Sequence, residues 1–241
     1  MADGMPRGAG DDPIAVQLVA KAASHGEANA CMVLFEKVAA GDADAQYDLG
    51  WLYDEGESVP KDTHKAMELW ELAASQGHAK AQFNLGVVLD AGEVVPQDKA
   101  RAIQLWELAA RQGHADAAFN LGCVYEDGDG APADLKRALE FWQLAAELQH
   151  PEALYNLGCA YDTGEGLEVN RAKALELWSL AASLGDSSAQ FNLGLALFDG
   201  RGIAKDRDRA LELWRKAAAQ GDEDAAEQLE LHTSVNLVER Q

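Results

Sequence analysis

Cysteine is scarce: Cys31, Cys123 and Cys159 are too few and too widely spaced for a disulfide framework. Isoleucine and threonine are scarce too, while alanine, leucine and glutamate are abundant. β-Branched residues lose rotamer freedom in helices and pack best on sheets, so this balance points to an all-α chain. Basic side chains are outnumbered, 20 Lys and Arg against 41 Asp and Glu, leaving a net charge of −21. So negative a surface repels phosphate backbones and anionic lipid headgroups, which excludes nucleic acid and direct membrane binding from the expected partners and favours basic ones. No stretch approaches the ~18 apolar residues of a membrane span. The opening MADGMPRGAGDD carries no continuous apolar run of the signal-peptide kind, so the expectation is a cytoplasmic protein. G-x-S-x-G, H-E-x-x-H and P-loop motifs are all missing, and no carboxylate pair stands out from its neighbours. The expectation is therefore a non-enzyme with no catalytic residue, metal or cofactor.

What the 241 residues do contain is a period. AQFNLG stands at 81–86 and again at 189–194, with AQYDLG (45–50), AAFNLG (117–122) and ALYNLG (153–158) in the same phase. Gly50, Gly86, Gly122, Gly158 and Gly194 recur every 36 residues, and so do Trp70, Trp106, Trp142, Trp178 and Trp214. Five matches at one fixed spacing mark a repeat architecture.

Each unit reads as two helices. Helix A, such as 81–89, puts Leu85 and Leu89 on one face at i, i+4, with a glycine that lets another helix approach closely. Gly56, Gly92, Gly128, Gly164 and Gly200 end helix A where a positive φ is usual. Helix B begins at the capping residues Asp62, Asp98, Asp134, Asn170 and Asp206, and closes at Gly77, Gly113, Gly185 and Gly221. In the third unit Gln149 replaces that closing glycine, which predicts a strained or altered turn. The boundaries are a tail over 1–11, a degenerate capping helix pair over 12–44 (helices 13–24 and 27–40), repeats at 45–80, 81–116, 117–152, 153–188 and 189–224, and a capping helix with tail over 225–241. That last helix is expected to stop near residue 231.

The pattern A-x-[FY]-N-L-G-x-x-[LY]-x-x-G followed by K-D-x-x-[KR]-A-x-x-L-W-x-x-A-A-x-x-G resembles the Sel-1-like repeat, a relative of the tetratricopeptide repeat. The resemblance runs from about residue 27 to 230. It implies stacked antiparallel helix pairs in a right-handed α-solenoid, with helix A lining the concave side. It also implies an adaptor or scaffold that binds a protein or peptide segment in that groove. A structural subunit docked through convex surfaces or loops is the alternative.

On helix A, Tyr47, Phe83, Phe119, Tyr155 and Phe191 form an aromatic ladder. Four residues on sit Trp51, Val87, Cys123, Cys159 and Leu195, and three further on Asp54, Asp90, Glu126, Asp162 and Phe198, a single stripe at i, i+4, i+7. By the resemblance this stripe faces the groove; its aromatic walls and acidic rim suit a basic or amphipathic peptide. Asp48, Asn84, Asn120, Asn156 and Asn192 border it. The resemblance implies either that these asparagines bind a ligand's backbone or carboxylate, or that they tie neighbouring repeats together. Of the basic residues, only Lys80 looks placed to support a carboxylate there. The uniform tryptophan ladder reads as packing. His78, His114 and His150 recur at 36 residues, but stacked repeats lie roughly 10 Å apart, too far to share a metal, and the expectation is a solvated loop position. The stretch EDGDGAPADLKRA (126–138) has the look of a calcium loop, yet with Gly130 as its sixth residue the first and twelfth ligands would be Tyr125 and Lys136. It reads as a turn.

Overall fold

The computed structural model describes residues 28–56 and 59–238. The expected tail over 1–11 and the helix over 13–24 lie outside them. Among the described residues there are twelve helices and no strand: α1 Ala28–Ala39, α2 Ala43–Glu55, α3 Thr63–Ser75, α4 Ala79–Ala91, α5 Lys99–Arg111, α6 Ala115–Asp127, α7 Leu135–Glu147, α8 Pro151–Thr163, α9 Arg171–Ser183, α10 Ser187–Asp199, α11 Arg207–Ala219 and α12 Glu223–Val238. Helices A (α2, α4, α6, α8, α10) and B (α3, α5, α7, α9, α11) alternate, as an all-α solenoid of 36-residue helix pairs requires. The chain divides into two compact units that meet at Ala117 and Ala118.

Each A helix starts two residues ahead of the expected unit boundary, and a capping slot explains the offset. Asp42, Asp186 and Asp222 precede their helices and accept from the backbone N–H of Ala45 (2.9 Å), Ala189 (2.6 Å) and Ala225 (2.8 Å). The histidines expected in solvated loops occupy the same slot and do the same work. Nδ1 of His78, His114 and His150 accepts from Ala81 (3.1 Å), Ala117 (3.4 Å) and Ala153 (3.4 Å). A neutral imidazole has one acceptor nitrogen, which suffices to satisfy one orphan amide of the first turn. These histidine side chains are only 15%, 16% and 9% exposed.

Helix B is capped as expected: Asp62, Asp98, Asp134, Asn170 and Asp206 accept from the amide three residues on at 3.0–3.1 Å. The A–B loop is closed by one recurring bond, in which the capping residue's own N–H donates into helix A, as from Asp134 to the Tyr125 carbonyl at 2.7 Å. The stretch at 126–138 is one copy of this loop, with Gly128 and Gly130 at φ +74° and +87°.

Pairing of helix A with helix B rests on a glycine and a tryptophan twenty residues apart. A Cβ on Gly86 would stand 2.5 Å from Trp106 Nε1, and on Gly158 2.5 Å from Trp178 Cδ1. The absent side chain makes room for the indole edge, so Trp70, Trp106, Trp142, Trp178 and Trp214 are buried. In three repeats the indole N–H also donates to a helix A carbonyl, of Tyr47 (3.4 Å), Phe83 (3.2 Å) and Phe191 (3.2 Å).

A second pairing lies thirty residues apart. Gln76, Gln112 and Gln220 donate from Nε2 to Oε1 of Gln46 (2.8 Å), Gln82 (2.8 Å) and Gln190 (3.0 Å). Gln82 and Gln190 pass the link on, donating to the Ala74 and Ala182 carbonyls of the preceding helix B at 3.2 Å. In the other two repeats both members are apolar, Ala118 with Leu148 and Leu154 with Leu184. A buried amide is satisfied by another amide or is replaced together with it.

Gln149 adopts φ +63°, in the left-handed region where Gly77, Gly113, Gly185 and Gly221 stand at +86° to +106°. The turn itself is unchanged, because the His150 N–H reaches the Ala145 carbonyl at 2.9 Å as His78 reaches Ala73 at 3.1 Å. The strain is confined to one residue, at about 1 kcal/mol. Helix α12 runs on to Val238, past the expected stop near 231, and its His232 ring packs 4.3 Å from Phe198 and 5.9 Å from Trp214.

Candidate functional site

The stripe residues divide by what already covers them. Three of the ladder rings carry a histidine cap from the next repeat: Tyr47 stacks on His78 at 4.7 Å, Phe83 on His114 at 4.5 Å and Phe119 on His150 at 4.4 Å. All five ladder residues are half-buried, as are Asp54, Asp90, Asp162 and the four asparagines. Phe198 packs on Trp214 at 5.2 Å with the Arg207 guanidinium 4.9 Å from its ring, so it belongs to the C-terminal core. Trp51 and Val87, in contrast, are 45% and 40% exposed at equivalent positions of α2 and α4.

Two of the bordering asparagines reach back one repeat. Asn84 hydrogen-bonds the Tyr47 hydroxyl, and Asn192 reaches the Tyr155 hydroxyl while its Nδ2 lies 4.0 Å from Cys159 Sγ. Burial is the main influence on both phenols; that of Tyr155 is pushed up to about 12. The repeat-tying role is thus present at both places.

Cys123 and Cys159 are free thiols. Burial is the largest influence and pushes both up; the indole N–H groups of Trp142 and Trp178, together with the Tyr155 hydroxyl at Cys159, act the other way, and nearby carboxylates add a smaller upward push. Both stay protonated near neutral pH, which gives them no nucleophilic character. These are the two tryptophans whose Nε1 atoms are buried without an oxygen partner; sulfur is a weak acceptor.

Within the second unit the stripe opens into a cavity of about 180 Å³. Cys159 and Asp162 of α8, Arg171 and Trp178 of α9, Asn192 and Leu195 of α10, and Arg201 of the following loop line it. Arg171 Nε donates to Asp162 at 2.9 Å, and Arg201 Nε lies 3.3 Å from Asp199. Neither arginine is among the residues the helix A spacing points to, where only Lys80 is expected to serve the stripe; they reach it from the start of helix B and from the A–B loop. One repeat earlier the charge is opposite. Burial, then Asp127 and Glu165, pushes the Glu126 carboxyl above its ordinary value. Among the described residues no group of three or more His, Cys, Asp or Glu side chains is arranged to hold a metal. No helix there is long and apolar enough to cross a membrane.

The family model described as Sel1 repeat matches residues 43–78, 79–114, 115–150, 151–186 and 187–222. These segments carry the two-residue offset set by the capping slot. Among solved structures, a Sel1 repeat protein from Oxalobacter formigenes is 30% identical, with 90% of this chain and 87% of that one covered and a TM-score of 0.75. A protective antigen of uropathogenic Escherichia coli that displays an SLR fold is also 30% identical, at a TM-score of 0.57; 84% of this chain aligns with 51% of it. No curated protein sequence matches the chain.

Proposed function

The chain belongs to the Sel1 repeat family, and from that premise we propose that it is a non-enzymatic scaffold holding a protein or peptide segment along its helix A stripe. Sel1 repeat proteins generally serve protein–protein interaction; the finer reading, a segment bound in the groove, rests on the exposure of Trp51 and Val87. Every helix B tryptophan is buried, so the one tryptophan left open stands on the stripe, with Val87 in the same slot of the next repeat. Exposed aromatic and aliphatic side chains at equivalent positions offer anchors that the fold does not need. Basic or amphipathic segments suit the acidic residues beside them, Asp54 and Asp90. The same proposal includes a cytoplasmic location, where the free thiols of Cys123 and Cys159 suit a reducing compartment.

Affinity capture with the full chain, followed by mass spectrometry, tests this directly. Trp51→Ser with Val87→Ser should lose the captured partners while helical circular dichroism and the unfolding midpoint stay unchanged. A folded double variant that keeps every partner sinks the groove reading.

A second reading, a subunit docked through helix B, is favoured by Leu72, Leu108 and Leu180, which are 52%, 45% and 42% exposed at one equivalent position. It gains if Leu72→Ser and Leu108→Ser abolish capture and the stripe variant does not.

A further inference from the structure

Two slots, one in the last turn of helix A and one shortly after it, are acidic in four repeats and lose that charge in the fifth. The first reads Asp54, Asp90, Glu126, Asp162 and then Phe198; the second reads Glu57, Glu93, Asp129, Glu165 and then Arg201. A third slot, the first residue of helix B, reads Thr63, Lys99, Leu135, Arg171 and Arg207. Arg171 and Arg201 both line the cavity of the second unit, in a chain whose net charge is −21.

Its donors outnumber its acceptors. A guanidinium has five N–H donors, and each arginine commits its Nε to a carboxylate, Arg171 to Asp162 and Arg201 to Asp199, which leaves the Nη ends. The Trp178 side chain, 7% exposed, lines the same cavity, and its N–H has no oxygen partner. Asn192, which also bonds the Tyr155 hydroxyl, lines it with its Nδ2 4.0 Å from the Cys159 sulfur. Leu175, Leu195 and Ala196 supply an apolar wall. An acceptor on a short aliphatic stem is the complement of such a lining, and an Asp or Glu side chain has both parts. One repeat away Glu126 and Glu165 repel each other and call for a cation.

Resting on the groove reading above, we infer that the second unit takes a partner segment of mixed charge, with an Asp or Glu carboxylate between Arg171 and Arg201 and a Lys or Arg against Glu126 and Glu165. Adjacent repeats lie about 10 Å apart, so the two charges should be separated by about three residues of extended chain. This differs from a uniformly basic ligand, which the arginines would repel.

A phage library of random twelve-residue peptides, selected on the immobilised full chain, tests the inference. Selected peptides should pair an acidic with a basic residue about three positions apart. Arg201→Glu should exchange the acidic preference for a basic one. In fluorescence anisotropy with the best selected peptide, Arg171→Ala with Arg201→Ala should weaken binding about tenfold, as for one lost charge-assisted hydrogen bond. Helical circular dichroism serves as the folding control. Peptides with no acidic preference, whose binding still needs Trp51 and Val87, overturn this inference and leave the groove reading standing. Failure to select any peptide overturns both.

Discussion

A histidine can cap a helix only while its Nδ1 is unprotonated, since the ring must accept from the backbone. Of the six capping slots ahead of α2, α4, α6, α8, α10 and α12, three carry aspartate and three histidine. The His114 pKa lies below its ordinary value, mainly because the ring is desolvated; Lys80 pushes it the same way and Asp116 opposes them. A depressed pKa on a base means that the folded state favours the neutral ring. The stabilisation is present in full above the unfolded value near 6.5, and is lost as pH falls through 6.5 toward the folded value. His114→Asp puts into this slot the residue used at Asp42, Asp186 and Asp222, whose carboxylate goes on accepting in that range. Thermal unfolding between pH 7.5 and 5.5 should show the wild-type midpoint falling more than the variant's, by an amount near the ~1 kcal/mol of one cap. Parallel pH profiles would remove the capping role. Stacking on Phe83 at 4.5 Å works against the effect, because a protonated ring gains attraction to the π face.

Between elements, the determining contact is a missing side chain. Gly86→Ala gains about 1 kcal/mol of helix propensity, yet its methyl would stand 2.5 Å from Trp106 Nε1 and 2.8 Å from Cδ1, with no flexible side-chain end to give way. The indole must leave its place, and overpacking should dominate, for a net loss of about 2 kcal/mol in denaturant unfolding. Gly77→Ala is the contrasting case: no atom lies within 4 Å of the added methyl and only φ +90° resists it. Equal losses at both sites would mean that backbone conformation, not the indole contact, governs the glycine. The columns of Gly50, Trp70 and their equivalents were legible in the sequence, and so were helix order, loop glycines and helix B caps, because each repeats every 36 residues. Three features escaped that reading. The capping role of His78, His114 and His150 is one, because what histidine shares with aspartate in that slot, an acceptor atom, is not a residue type. The Gln46–Gln76 partnership lies across columns, visible only when Ala118–Leu148 and Leu154–Leu184 change together. Arg171 and Arg201 join the stripe from outside helix A, and their meeting depends on side-chain reach, which no spacing rule on one helix conveys.

For the whole chain, a net charge of −21 makes like-charge repulsion a property of the folded state as well as of any groove. Ion pairs among the described residues are mostly exposed, such as Arg101 with Glu71 at 2.9 Å, and contribute little to stability. What holds the repeats is short-range: buried indoles, glutamine pairs with one buried member, and capped helix starts. Added salt therefore screens mostly unfavourable terms in the free protein. Between 20 and 300 mM NaCl the Debye length falls from roughly 20 Å to roughly 6 Å, less than the spacing of roughly 10 Å between repeats. The unfolding midpoint of the unliganded chain should rise by a few degrees across that range, which corresponds to about 1 kcal/mol. Binding of a charged segment should respond in the opposite sense, because the same screening weakens Arg171, Arg201, Glu126 and Glu165 as anchors. A midpoint that falls with salt would mean that favourable ion pairs outweigh the repulsion; binding that is indifferent to salt would leave Trp51 and Val87, rather than charge, as the source of affinity.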